Sequence, residues 1–288
     1  MNGYMKLDNK ITFCISTYNN LNYLKIAIDS VRKNSYFINA PLIVHAENCT
    51  DGTDDWLEEN KDLYNIEFYI DKNDIPIGIG GGMNFCANKV ITEYIMFLHS
   101  DMYVSRNWDI NLLNLLETNL EYNWAFSYRI EPNIFGNTVS RHGTFIVEPE
   151  YFGMYYYDFN SVAFDSYALE FMELNKDYII PKAEGVSGLI RKSDWDFIGG
   201  NDPIFAPASW EDMDLFLRMK QNGYKFALSG QSVVWHFGAR GSHRLEENDG
   251  KSSDRQIESE IRNKNKWLQK WGGLPVFDEY GMISGVKC

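Results

Sequence analysis

Three short stretches carry side chains whose types and setting could do chemistry. His99-Ser100-Asp101 follows the apolar run EYIMFLH, so the Asp101 carboxylate is expected to project from the end of a strand. A hard divalent cation, Mg²⁺ or Mn²⁺, binds through few carboxylates together with the oxygens of a phosphorylated ligand. Glu211 and Asp212 open a helical pattern, WEDMDLFLRMKQNG, after the turn-rich approach GGNDPIFAPAS. One carboxylate of such a pair can serve as a general base that takes the proton from an attacking hydroxyl. His236 ends a second apolar run, VVWHF, where a neutral imidazole could complete a metal shell. The segment GARGSHR comes next, and its Arg240, His243 and Arg244 could screen a departing diphosphate. Each stretch also has a plain structural use: Asp101 as a turn or helix cap, His236 as strand-end packing, and the two acids as first-turn charges behind an N-cap at Ser209.

The elements around these stretches alternate. ITFCIS is a β-rich run, and LNYLKIAIDSVRKN after it sets Leu21, Leu24, Ile28 and Val31 at helical spacing. PLIVHA, from 41, leads through ENCTDGTDD into a helix that contains Trp56 and Leu57. IEFYI, at about 66 to 70, precedes the Gly-rich IGIGGG and a helix from about Met83, and EYIMFLH is the fourth strand. Such alternation predicts an α/β fold with a largely parallel sheet, in which STYN, AENCTD and HSD fall at the ligand-binding carboxyl ends of the strands. Residues 123 to 184 are less regular, and the five aromatics between Tyr151 and Tyr157 suit either a sugar platform or a core. From 185, GVSGLIR reads as a strand, SDWDFIGG as a short helix closed by Gly199, and YKFALS and SVVWHF as two more strands. Near the end, Trp267 and Trp271 share one helical face and are expected to dock on the domain.

Composition narrows the partners. The 288 residues carry 27 basic and 40 acidic side chains, a formal charge of -13, with no long Lys/Arg run, which argues against nucleic acid. An anionic ligand therefore needs a divalent cation or a few placed Arg and His residues. Four cysteines, Cys14, Cys49, Cys86 and Cys288, show no paired spacing and read as reduced thiols of a cytoplasmic protein. No run of about 18 apolar residues occurs, so no transmembrane segment is expected, while peripheral membrane contact and a homo-oligomer stay open. IGIGGG lacks the Lys-Ser/Thr ending of a P-loop and the spacing of the dinucleotide fingerprint.

Taken in order, these segments resemble the family-two glycosyltransferases, inverting enzymes of the GT-A fold, over about residues 10 to 240. The resemblance implies a Rossmann-like, mostly parallel mixed central sheet with helices on both faces. It divides the chain into a 1–245 transferase domain, with a nucleotide-sugar half at 10–105 and an acceptor half at 106–245, followed by a 246–288 helical extension. ITFCISTYNNLNYLKIAIDSV resembles the family's opening strand, loop and helix, which implies that Thr17, Tyr18 and Asn19 meet the nucleotide. IVHAENCTDGT resembles the second strand, where two adjacent acids align with Ala46 and Glu47. That leaves Glu47 for the base or ribose, and Asp51 as the later acid of the turn. Asn84 stands at the position of a family Asn. The family's Asp-x-Asp appears as His99-Ser100-Asp101, which implies Asp101 as metal ligand, His99 beside it and Ser100 near the nucleotide. GVSGLIRKSDWDFIGGNDPIFAPASWEDMDLFLRMKQNGYKF resembles the acceptor half, implying Asp212 as general base, Glu211 in acceptor binding and His236 as a further metal ligand. The partners so implied are a UDP-, GDP- or dTDP-sugar, a Mn²⁺ or Mg²⁺ ion, and a glycan or other hydroxyl acceptor. A sugar nucleotidyltransferase would need a basic, Gly-rich triphosphate loop near the N-terminus, and ISTYNNLNY offers none. His99 and Ala46 favour a second alternative, a sugar-binding protein that has kept the fold without the catalysis.

Overall fold

The computed structural model describes residues 10–133, 143–183, 185, 187–238 and 252–287. Strands and helices alternate first: β1 (Ile11–Thr17), α1 (Leu21–Asn34), β2 (Leu42–Glu47), α2 (Thr53–Tyr64), β3 (Ile66–Asp71), α3 (Gly78–Lys89) and β4 (Tyr94–His99). Then come β5 (Met102–Val104), α4 (Trp108–Thr118), β6 (Trp124–Pro132), β7 (Thr144–Val147), α5 (Pro149–Phe152), α6 (Ser161–Leu174), β8 (Ile179–Ile180) and β9 (Gly188–Arg191). The chain continues through α7 (Lys192–Ile198), α8 (Glu211–Gln221), β10 (Phe226–His236), α9 (Asp254–Trp271), β11 (Leu274–Phe277) and β12 (Ile283–Lys287).

The strands are buried on both faces because their side chains alternate between two apolar layers. Ile11, Phe13 and Ile15 of β1 join Leu42 and Val44 of β2 and Met96 and Leu98 of β4 on one face, under α1 and α4. Cys14, Ile43, Ile95 and Phe97, their neighbours in sequence, face the opposite layer with Met83 and Cys86 of α3 and Leu215 and Met219 of α8. The sheet order is β3-β2-β1-β4-β9-β6-β10-β5, with β7 on β6 and β8 on β10. Strands β1 to β4 are parallel, whereas β9 runs antiparallel between β4 and β6. The mixed α/β architecture matches the sequence expectation.

Four details differ from that expectation. Helix α3 begins within the Gly-rich segment, at Gly78, because its glycines let it press onto the sheet: a Cβ on Gly82 would stand 2.0 Å from Ser16 Oγ. Close packing there outweighs the poor helix propensity of glycine. YKFALS and SVVWHF form one strand, β10, with an irregularity between Ser229 and Val233 that absorbs the polar residues expected to separate them. Ser209 does not cap α8: the cap position is Trp210, with no side-chain cap bond. The C-terminal segment, expected to be helical, adds the β11–β12 hairpin, and its Met282 and Ile283 join Trp267 in the same buried layer as α8.

Candidate active site

Strand pairing explains how residues distant in sequence meet. β4 ends at His99, and β5 pairs antiparallel with β10 so that Met102 lies opposite His236. The Phe237 N–H then donates to the Asp101 carbonyl at 3.0 Å. In consequence His99, Asp101 and His236 bring one ligand atom each within 4.8 Å of one another. His236 Nε2 lies 3.5 Å from Asp101 Oδ2, and its Nδ1 lies 2.7 Å from Glu131 Oε1. Burial opposes a charge on His236, yet Asp101 and Glu131 on either side of the ring raise its pKa to about 9. This donor set fits a cation. Two imidazoles and one carboxylate suit a first-row ion such as Mn²⁺ better than Mg²⁺, which prefers oxygen, and a carboxylate on Nδ1 is the usual outer support of a metal-bound histidine.

The second acidic group is built differently. Ser209 and Trp210 have φ of 75° and 76°, left-handed values that cost about 1–3 kcal/mol each for non-glycine residues. Helix α9 holds this turn. Gln256 Nε2 donates to Ser209 Oγ at 2.8 Å, Ser259 Oγ to the Ala208 carbonyl at 2.8 Å, and Asn263 Nδ2 to the Ser209 carbonyl at 3.0 Å. The Trp210 ring packs on Trp267, with centroids 5.6 Å apart. The turn places Glu211 and Asp212 on the first turn of α8. Glu211 Oε2 is buried with no hydrogen-bond partner among the described residues. Burial first, and the neighbouring Asp212 second, push the Glu211 carboxyl up to about 8, so it keeps its proton near neutral pH.

One cavity of about 280 Å³ joins the two groups and is lined by His99, Asp101 and His236 together with Glu211 and Asp212. Thr17, Tyr18, Glu47 and Ser100 line it as well. The Glu47 carboxylate is engaged, accepting the N–H groups of Ile77 at 2.6 Å and Gly78 at 2.8 Å, and so fixes the start of α3. Asn19, Asp51 and Asn84 are not part of the cavity lining. Asn19 Oδ1 accepts from the Thr50 N–H at 2.7 Å, Asp51 Oδ2 from the Leu21 N–H at 2.8 Å, and Asn84 exchanges two hydrogen bonds of 2.8 Å with the backbone of Asn201. Arg240 and His243 lie outside the described residues. The aromatics from 151 to 157 are absent from the lining: Phe152 packs in a core with Trp235 and Phe237, while Tyr151 and Tyr157 are exposed.

Sequence reasoning missed Asn20, whose Nδ2 donates to Ser100 Oγ at 2.9 Å, and the α9 residues Arg255, Gln256 and Ser259 that wall the cavity. Asn20 stands beside the STYN loop and could have been found there. The α9 residues sit in a polar run whose local pattern gives only a helix.

A family model described as glycosyl transferase family 2 matches residues 12–176. Glycosyltransferase GlyA of Streptococcus pneumoniae serotype 4 (strain ATCC BAA-334 / TIGR4) is 26% identical over 104 residues, which is 36% of this chain and 14% of that protein. Among solved structures, GalNAc-T7 with UDP, GalNAc and Mn²⁺ superposes with a TM-score of 0.64 at 14% identity, covering 96% of this chain and 50% of that one. S. aureus TarS 1-349 in complex with UDP gives a TM-score of 0.54 at 13% identity, covering 78% of this chain and 60% of that one. The two structural likenesses agree with the fold described above.

Proposed function

The chain belongs to glycosyl transferase family 2, and from that premise we propose that it passes a sugar from a nucleoside diphosphate donor to an acceptor hydroxyl with inversion at the anomeric carbon. The observation that carries this reading is the single cavity lined by Asp101, Asp212 and His236. Asp212 takes the proton of the acceptor hydroxyl as its oxygen attacks the anomeric carbon, on the face opposite the departing diphosphate. Glu211, protonated near neutral pH, donates a hydrogen bond to the acceptor. Thr17, Tyr18 and Ser100 hold the nucleoside end. Asp101, His99 and His236 would hold a divalent cation, with Glu131 orienting His236. When bound, such an ion supplies positive charge to the diphosphate oxygens, in a protein whose own charge is -13.

The UDP in both neighbouring structures makes a UDP-sugar the first donor to test, ahead of GDP- and dTDP-sugars. The acceptor is a glycan or another hydroxyl compound. The buried free thiols of Cys14, Cys49 and Cys86 support a cytoplasmic setting, and no described helix is long and apolar enough to cross a membrane. A thermal-shift screen of UDP, GDP and dTDP with Mn²⁺ tests the reading: a ligand at about 100 times its Kd stabilises the fold by about 2.7 kcal/mol. A protein stabilised by none of the three does not take a UDP-, GDP- or dTDP-sugar as its donor. Slow donor hydrolysis without acceptor separates an enzyme from a binding protein of the same fold.

A further inference from the structure

The donor cavity is lined by a single Lys or Arg among the described residues, Arg255. It lies on α9, beyond the 12–176 span of the family match, and nothing in the resemblance assigns it a role. Its Nη1 donates to the Tyr18 hydroxyl at 3.1 Å, and the centre of its guanidinium stands 5.1 Å from the centroid of the Tyr18 ring. Among the described residues no carboxylate pairs with it, in a chain where acids outnumber bases by 40 to 27. An arginine in such surroundings ordinarily meets an acid. Its helix is fixed to the cavity wall by Ser259, by the fully buried Asn263 and by Trp267. Tyr18 uses one of the five N–H donors of the guanidinium, and the rest of the rigid fork is available to a ligand.

We propose that Arg255 binds the diphosphate of the nucleotide donor, with Tyr18 holding its guanidinium in position before the ligand arrives. This rests on the donor reading above and assigns α9 a part in that site. An arginine matches phosphate oxygens with two parallel hydrogen bonds, so it counters the charge that grows on the leaving diphosphate as the sugar departs. The geometry has one competing use, in which Arg255 and Tyr18 together sandwich the nucleobase.

Titration calorimetry of uridine, UMP and UDP with Mn²⁺ on wild type, Arg255→Ala and Arg255→Lys distinguishes the two. Arg255→Ala is expected to weaken UDP by about 10-fold or more, the scale of a lost charge-assisted pair, and to leave uridine within about 2-fold. Arg255→Lys, which keeps the charge but not the fork, should fall between. A melting temperature equal to wild type for either variant shows that α9 is still docked. UDP affinity unchanged in Arg255→Ala overturns the proposal, and so does an equal loss for uridine, which would assign the residue to the base. A wild type that binds UDP, GDP and dTDP not at all removes the donor reading itself, and this inference with it.

Discussion

Two acidic walls line one cavity, and they are assembled by opposite means. The wall at the ends of β4 and β10 sets buried Asp101 and Glu131 around His236, so each charge there has a counter-charge or a shared proton. The wall at the start of α8 sets Glu211 beside Asp212 on a strained turn, and burial first, with the Asp212 charge second, drives the Glu211 carboxyl toward neutrality. A compensated cluster with two imidazoles is a place to hold a cation. A carboxyl held neutral beside a second carboxyl is a place to move a proton, because the protonated one can donate a hydrogen bond.

The sharpest way to break this contrast is to remove the proposed base. Asp212→Asn is expected to lower kcat by at least about 10²-fold, the usual worth of a general base, while UDP affinity with Mn²⁺ stays near wild type. Steady-state kinetics beside calorimetry checks it, and near-normal turnover would take proton transfer away from the α8 wall. The mirror experiment is Asp101→Ala, expected to lose Mn²⁺-dependent UDP affinity by roughly 10- to 100-fold, the range seen when metal sites lose a supporting group. UDP binding of equal strength with and without Mn²⁺ would leave the strand-end wall with no cation to hold.

A smaller effect should follow from Glu131→Gln, which keeps the shape and removes the charge behind His236. Mn²⁺ affinity is expected to fall by about 10-fold. Wild-type Mn²⁺ affinity should also climb with pH up to about 9, because the metal and a proton compete for the same imidazole, whose pKa stands near that value without metal. Affinity flat from pH 6 to 9 would mean that His236 is not a ligand.

The α8 wall predicts a different pH signature. In the folded chain burial and then the Asp212 charge push the Glu211 carboxyl up to about 8, against 4.5 for an ordinary glutamate, so the folded state keeps a proton that the unfolded chain releases. Its contribution to stability is whole below pH 4.5, shrinks as the pH rises and is gone above about 8. Glu211→Gln stays neutral throughout, so its melting temperature should gain on wild type from pH 5 to 8 and then run parallel. Each kcal/mol of that gain moves the melting temperature by about 2–4 °C in a large domain, so the gap is within reach of a thermal melt. In Asp212→Asn the Glu211 carboxyl loses its charged neighbour, and the same gap should narrow. An unchanged gap would leave burial alone as the cause.

The strand-end wall was legible in the sequence because strands announce themselves by short apolar runs, and Asp101 and His236 stand at the ends of two of them. The α8 acids were visible for the same reason, through the helical pattern behind them. What the sequence hid was the support. Glu131 lies in the less regular middle region, and only the parallel pairing of β6 with β10 brings it to His236. Ser259 and Asn263 act on carbonyls more than 50 residues away, through contacts that no local pattern encodes. Gly82 looked like loop because its helical packing depends on Ser16, in another element.

Asn84 gives the mildest test, since resemblance places it with the nucleotide while its contacts tie α3 to the turn before α8. Its Oδ1 accepts from the Asn201 N–H and its Nδ2 donates to the Asn201 carbonyl, at a residue only 2% exposed. Asn84→Ala would leave both backbone groups short of a partner, at about 1–3 kcal/mol for a buried group left unsatisfied. A lower melting temperature with UDP affinity within about 2-fold of wild type is therefore expected. The reverse result, an unchanged melting temperature and UDP binding weakened by about 10-fold, would move Asn84 from the scaffold to the site. The cavity, which Gly78 and Ile79 already line from the start of α3, would then draw on the middle of that helix as well.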